Sequence, residues 1–211
     1  MSPKSLSEII EKIFPMIEKI KGCGGISYLV GGTVRDIVLK RETKDLDIEV
    51  HNLSLKELES CLETFGNVSL IGKKFGVLNV SHLDIDWSLP RKDSKGRKPS
   101  VEIDPSMNIE DACRRRDVTM NAMAINLNEH CLFPQKITII DPFGGLQDIE
   151  NKTLRVVDKD LFLDDPLRFF RVMQFVGRFE MKPDDELNDI CKTMSLKDVA
   201  TGIDISRERI F

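Results

Sequence analysis

The sequence predicts an α+β fold on three observations. Between residues 26 and 65, apolar runs of strand length alternate with stretches of helical spacing, in the order β-α-β-α. Between 68 and 89 three further strand patterns follow one another with only turns between them. Beyond residue 165 an amphipathic stretch running to about Phe179 has the period of a helix.

Each element follows from its residues in turn. Residues 5–20 carry Leu6, Ile9, Ile10, Ile13, Ile17 and Ile20 at helical spacing, with Pro15 predicting a kink or an early stop. Gly22, Gly24 and Gly25 then break the pattern. A strand is expected at 26–30, a helix at 33–40, a strand at 46–50 and a helix at 55–65. Strands near 68–71 and 75–80 are joined by Gly72-Lys73-Lys74, and 83–89 alternates again, with Asp84 and Asp86 on one face. The stretch 91–100, rich in Lys, Arg, Gly, Pro and Ser, reads as a mobile basic loop.

Composition narrows the classes. At 211 residues with 41% hydrophobic content the chain can bury a real core, as one large domain or one domain plus a smaller one. A net charge of -4 removes any global attraction to nucleic acid, so RNA contact must use a local basic patch or a region this chain lacks. The five cysteines, Cys23, Cys61, Cys113, Cys131 and Cys191, include no C-x-x-C pair, which argues against zinc or a disulfide framework. His51, His82 and His130 are isolated. No apolar stretch is long enough for a signal or membrane segment at the N-terminus, and a reducing cytoplasm is the default expectation.

The motif of greatest interest is Leu29-Val30-Gly31-Gly32-Thr33-Val34-Arg35-Asp36, followed nine residues beyond Asp36 by Asp45-Leu46-Asp47. A buried strand turning through two glycines into a helix brings unpaired N–H groups to where a phosphate can sit. In the second segment Leu46, Ile48 and Val50 can face a core while Asp45, Asp47 and Glu49 share the other side. The bland alternative is an amphipathic strand with a solvated acidic face. Against it, acids are poor strand formers and stacked like charges repel unless a cation lies between them. Two carboxylates about 7 Å apart along a strand can converge on hard cations. The pairing points to a magnesium-dependent enzyme acting on a nucleoside triphosphate. A third carboxylate, Asp84 or Asp86, would complete such a site, and periodicity does not separate the two.

Two more constellations follow. Arg114-Arg115-Arg116-Asp117 concentrates donors suited to phosphate, and a helix starting near Asp117 would bring Asp117 and Asn121 onto one face. After the turn Asp141-Pro142-Phe143-Gly144-Gly145, the run Asp164-Asp165-Pro166-Leu167-Arg168 opens a helix, with capping as its plain reading. Asp165 and Arg168, at i and i+3, can also present an acceptor beside a donor fork. That pair suits the amine and ring nitrogen of cytosine or adenine and not uracil or guanine, each good pair being worth roughly 1 to 3 kcal/mol.

Taken in order, Leu29-Val30-Gly31-Gly32-x-Val34-Arg35-Asp36, Asp45-x-Asp47, Gly72-Lys73-Lys74-Phe75-Gly76, Arg115-Arg116-Asp117-x-Thr119-x-Asn121-Ala122, Asp141-Pro142-Phe143-Gly144-Gly145 and Asp165-Pro166-Leu167-Arg168-x-x-Arg171 resemble the class II tRNA nucleotidyltransferase and bacterial poly(A) polymerase family. Ser206-Arg207-Glu208-Arg209-Ile210 is similar to the helix that ends that family's neck. The resemblance implies a nucleotidyltransferase head with a small mixed sheet over residues 1–150 and an all-helical neck over 151–211. It implies Asp45 and Asp47 as Mg2+ ligands and Asp86 as the third catalytic acid. It assigns Gly31, Gly32 and Arg35 to the triphosphate, and Arg116, Asp117 and Asn121 to sugar and phosphates. Asp165 and Arg168 would read the base of CTP or ATP, and Arg171 would reach phosphate.

The implied activity is addition of C and A to an RNA 3′ end, tRNA above all, with release of pyrophosphate. Poly(A) or CC-only synthesis is the second reading, and a nucleotide-binding regulatory domain is the reading from another class. The chain departs from the family pattern at Asp164, where Glu is usual, and in a shorter basic loop after Arg91. It stops at Phe211, where family members continue into body and tail domains, so a fragment is expected.

Overall fold

Helix α1 (Leu6–Gly22) turns one apolar stripe inward, with Ile10, Ile13, Ile17 and Ile20 buried at three- and four-residue intervals. It continues through Pro15, so the stop expected there does not occur. Proline removes one backbone donor, and burial of Ile13, Met16 and Ile17 around it outweighs that loss. The computed structural model describes residues 6–43, 46–71, 76–81, 83, 85–93, 101–130, 138–197 and 202. The calls on Asp45, Asp84, 72–75 and 206–210 lie outside these residues.

Strand β1 (Ile26–Val30) leads into α2 (Gly32–Val38), and β2 (Leu46–His51) into α3 (Leu55–Leu62), as the alternating pattern predicts. The start of α3 is a capping box, in which Ser54 and Glu57 satisfy each other's backbone N–H groups. A short 3-10 turn, Glu63–Phe65, completes the stretch read as one helix. Then come β3 (Val68–Ile71), β4 (Val77–Val80) and β5 (Ile85–Ser88). The basic stretch after Leu89 differs from a plain loop at its start. There β6 (Arg91–Asp93) pairs antiparallel with β7 (Val101–Ile103), and residues 94–100 lie outside the described set.

Helix α4 (Ile109–Arg114) ends before Asp117, and a 3-10 turn, Thr119–Asn121, follows it. No helix starts at Asp117, because this segment is held in extended contacts instead. Val118 bridges Val156, and Thr119 donates its N–H to the Arg155 carbonyl. The head is completed by β8 (Ala124–Asn126), α5 (Leu127–His130), β9 (Ile139–Ile140) and α6 (Gly145–Glu150).

The seven-stranded sheet has the order β3-β4-β5-β2-β1-β8-β9. Every neighbouring pair in it is antiparallel except β2 and β5, so the sheet is mixed, as the resemblance implies. One face carries the main core, where Leu29, Ile48, Val50, Ile85 and Trp87 pack with Ile13, Ile17, Leu58 and Leu62 from α1 and α3. On the opposite face β1 packs Tyr28 and Val30 against Cys113, Ala122 and Ala124, while β2 presents Asp47, Glu49 and His51.

Among the described residues after 150 the helices are interrupted by one short parallel ladder, β10 (Thr153–Leu154) with β11 (Lys182–Pro183). Around it lie α7 (Lys159–Leu163), α8 (Leu167–Phe179) and α9 (Asp185–Thr193). Their core joins Phe162, Val172, Phe175, Phe179, Leu187 and Ile190 to Val118 and Met120. Packing therefore crosses the boundary expected at 150. Among the described residues no helix is long and apolar enough to cross a membrane.

Candidate active site

Strand β1 delivers the chain to Gly31, whose φ of +65° is a conformation side-chain-bearing residues rarely adopt. A Cβ there would also come within 2.9 Å of Arg116 Nη1 and 3.9 Å of Asp47 Oδ2. The backbone conformation thus favours glycine, and the bare position leaves room for a guanidinium close to the turn. The start of α2 is tied to the acidic strand, because Thr33 Oγ1 accepts from the Asp47 N–H at 3.0 Å. The two motifs that the sequence separates by nine residues are adjacent in space.

Asp47 lies opposite Asp86 in the parallel β2–β5 pair, both half-buried and on the sheet face away from the main core. Neighbouring strands run about 4.8 Å apart. Two carboxylates at that spacing repel, and a hard divalent cation between them turns repulsion into attraction. Asn79 on β4 holds the Ile85 carbonyl at 3.0 Å and reaches Asp86 Oδ1 at 3.5 Å, steadying this side of the pair. Among the described residues no group of three His, Cys, Asp or Glu side chains could hold a metal ion. Asp47 and Asp86 offer carboxylate oxygens, the donor type that hard divalent cations take.

Two residues along β2, Glu49 is fully buried and shares the face of Asp47. Its Oε2 accepts from Arg115 Nη2 at 2.9 Å and lies 3.7 Å from Arg116 Nη2, while Oε1 lies 3.1 Å from His51 Nε2. His51 Nδ1 faces the Met107 carbonyl at 2.8 Å. Burial alone would raise the Glu49 carboxyl. The His51 bond and the two guanidinium charges overcome that and hold it down at about 2. Burial and the Arg115 charge both lower Arg116, with Glu49 and Asp47 acting the other way. The arginine run therefore divides. Arg114 turns out to Glu110 and Asp111 on the surface, whereas Arg115 and Arg116 fold in over Glu49.

Asp117 and Asn121 meet, as expected, although no helix joins them. Asn121 Nδ2 donates to Asp117 Oδ1 at 2.9 Å, and the Val118 N–H donates to the same oxygen. Arg171 Nε donates to Asp117 Oδ2 at 2.6 Å. Burial would raise Asp117, but the Arg171 charge and these bonds hold it below the ordinary carboxylate range. Arg35, assigned from the resemblance to the triphosphate, is only 6% exposed and faces inward instead. Its fork bonds Asp36 and, at 2.7 Å, Asn121 Oδ1, and its guanidinium lies 4.6 Å from the centre of the Phe179 ring. In this arrangement it braces Asn121 against the neck.

At the start of α8, Asp165 Oδ1 accepts from the Leu167 N–H at 2.9 Å, the capping contact that a plain helix start predicts. Arg168 reaches back across the chain, donating to the carbonyls of Arg115 at 2.7 Å and Arg116 at 3.3 Å. The base-reading candidates of the neck are thereby tied to the arginine run of the head. The turn at 141–145 supports the same region. Asp141 caps the N–H groups of Gly145 and Leu146, and a side chain at Gly145 would collide with the Thr119 carbonyl.

Sequence reasoning gathered Gly31, Gly32, Asp47, Asp86, Arg116, Asp117, Asn121, Asp165, Arg168 and Arg171 into one region, and within that set the hydrogen bonds above link Arg168 to Arg116 and join Asn121 and Arg171 to Asp117. It saw Glu49 only as a third acid on a strand face, and it missed Thr33, Asn79 and the inward turn of Arg115. The alternation that exposes Asp47 also marks Glu49. Nothing local reveals that two guanidiniums from residues 115 and 116 reach it.

Known proteins are similar to this chain in sequence and in fold. The family described as the Poly A polymerase head domain matches residues 27–155. An A-adding tRNA nucleotidyltransferase from Aquifex aeolicus is 33% identical over 159 residues, which are 74% of this chain and 19% of that protein. A CCA-adding enzyme from Streptococcus uberis is 31% identical over 200 residues, 92% of this chain and 46% of that protein. Among solved structures, the Thermotoga maritima CCA-adding enzyme complexed with tRNA superposes with a TM-score of 0.71 at 26% identity, covering 92% of this chain and 43% of that one. The Bacillus stearothermophilus CCA-adding enzyme in complex with CTP gives 0.71 at 28% identity, covering 86% and 42%. The chain spans less than half the length of each of these proteins.

Proposed function

Because this chain belongs to the poly A polymerase head domain family, we propose that it carries the catalytic head and neck of an RNA 3′-terminal nucleotidyltransferase, adding C and A from CTP and ATP to tRNA 3′ ends. The observation that carries this reading is the level placement of Asp47 and Asp86 beside the Gly31 turn, with Arg116 against that turn. Asp47 and Asp86, with Asp45, would hold Mg2+, which supplies charge neutralisation on the triphosphate and acidity at the attacking hydroxyl. The reaction joins the RNA 3′ oxygen to the nucleotide α-phosphorus and breaks the bond to the β-phosphate, so pyrophosphate leaves.

The protein's own groups do the positioning. The bare Gly31 lets a triphosphate approach the backbone, and Arg116 presents a guanidinium beside the same turn. The Asp117, Asn121 and Arg35 network sets the floor under the sugar. Asp165 and Arg168 supply an acceptor and a donor fork, the pattern that suits cytosine and adenine. The head over 1–150 provides the chemistry and the neck over 151–211 provides base selection. The test is Mg2+-dependent incorporation of labelled CTP and ATP into tRNA lacking its 3′ terminal nucleotides. Incorporation with pyrophosphate release supports the reading, and its absence at any Mg2+ concentration defeats it.

A further inference from the structure

A fully buried carboxylate in the middle of a strand is costly unless specific partners neutralise it, and an apolar residue would fill the same place without that cost. Glu49 occupies such a place, and its three polar partners are His51 of its own strand and the guanidiniums of residues 115 and 116. Adjacent guanidiniums repel each other. Arg115 and Arg116 nevertheless lie side by side, both over the Glu49 Oε2 atom, at 2.9 and 3.7 Å.

From these two arginines, contacts run in two directions. Through its side chain, Arg116 comes within 2.9 Å of where a Gly31 Cβ would stand, and Asp47 Oδ2 lies 3.9 Å from the same point. Through their backbone carbonyls, Arg115 and Arg116 receive the fork of Arg168. We propose that Glu49 is a positioning residue that holds Arg115 and Arg116 in register with both the Gly31 turn and Arg168, and so sets nucleotide affinity and base preference together. It touches neither nucleotide nor metal in this role and acts through the two arginines. The proposal rests on the nucleotidyltransferase reading above.

The test compares wild type with Glu49→Gln, which keeps the size and removes the charge. The expected result is a rise of about tenfold in KM for CTP and ATP with kcat changed less than about threefold, because contacts equal in ground and transition states set KM alone. The ratio of CTP to ATP use also shifts. In an Arg115→Ala/Arg116→Ala background, adding Glu49→Gln raises KM by less than about twofold more, since both side chains it acts through are gone. A KM unmoved by Glu49→Gln, or two effects that simply multiply, overturns the proposal. Where Glu49→Gln does not fold, Glu49→Asp keeps the charge but withdraws it from the arginines. The same rise in KM is expected there, and a wild-type KM in folded Glu49→Asp overturns the positioning role. Wild type run alongside separates the two levels of inference. No CTP or ATP incorporation by wild type defeats the parent reading and this one with it, whereas incorporation with KM indifferent to Glu49 defeats this one alone.

Discussion

On one face of the seven-stranded sheet, Leu46, Ile48, Val50, Ile85 and Trp87 meet α1 and α3 in an apolar layer. On the other, the alternate residues of the same strands, Asp47, Glu49, His51 and Asp86, bring four ionisable groups level with two arginines from beyond α4. The strands are shared, so the contrast comes from side chains alone. Apolar contacts are non-directional, and many residues of the right size satisfy them. Buried charges need named partners at hydrogen-bond distance, and losing one leaves the other uncompensated. Stability should therefore be spread over the first face, while activity depends on few atoms of the second.

The largest effect expected from this contrast is at Asp47. Asp47→Asn should lower turnover by at least about a thousandfold, the scale of removing one electrostatic group aimed at the transition state. Its melting temperature should equal or exceed that of wild type, because the change also relieves repulsion with Asp86. Steady-state incorporation and a thermal melt on the same preparation check both halves. A large loss of stability accompanying the loss of turnover would show the second face to be structural as well.

Leu58→Ala is the converse experiment. Leu58 is fully buried between α3 and the sheet. Its truncation should cost about 2 to 5 kcal/mol in denaturant unfolding. The KM for CTP, measured well below the melting transition, should stay at the wild-type value. A shift in KM comparable to that of a polar-face variant would mean the two faces are mechanically coupled.

A smaller effect is expected where the polar face meets the neck. Asp165→Ala removes the acceptor proposed to read an exocyclic amine, and should change the CTP to ATP preference roughly tenfold. Mg2+ affinity should remain as in wild type. It also removes the cap on the Leu167 N–H, so a modest loss of stability of about 1 kcal/mol should accompany it. A variant with lowered stability and unchanged preference would leave Asp165 as a cap only.

What was legible in the sequence follows the same division. Ile26, Leu29, Ile48 and Val50 announce their strands through local alternation and runs, which the chain itself carries. The register that sets Asp86 rather than another residue against Asp47 is a long-range fact, and no periodicity contains it. The local rule for proline offers a kink or a stop at Pro15, and the helix runs on through it with buried side chains on both sides. Composition makes the whole of 91–100 read as loop, while pairing with Val101–Ile103 makes Arg91–Asp93 a strand. Arg35 carries the most instructive difference. Its motif marks a phosphate contact, yet its fork closes on Asp36 and Asn121, and only the arrival of α8 with Phe179 makes that inward position favourable.

The smallest effect expected concerns acid. Asp117 is 4% exposed, and the Arg171 charge together with the bonds from Arg171, Asn121 and the Val118 N–H holds its carboxyl below the ordinary value of 3.8. A depressed carboxyl binds its proton more readily in the unfolded chain than in the folded one. Its stabilising contribution is therefore complete above about pH 4 and is lost as pH falls below that through the folded value. Melting temperatures recorded from pH 6 down to pH 3 should decline more steeply for wild type than for Asp117→Asn, which has no proton to take up. The apolar face contributes nothing to this difference, so Leu58→Ala should parallel wild type at a lower temperature throughout. Curves for wild type and Asp117→Asn that run parallel would mean that Arg171, half exposed at its side chain, is screened by solvent well enough to leave the pair without net effect.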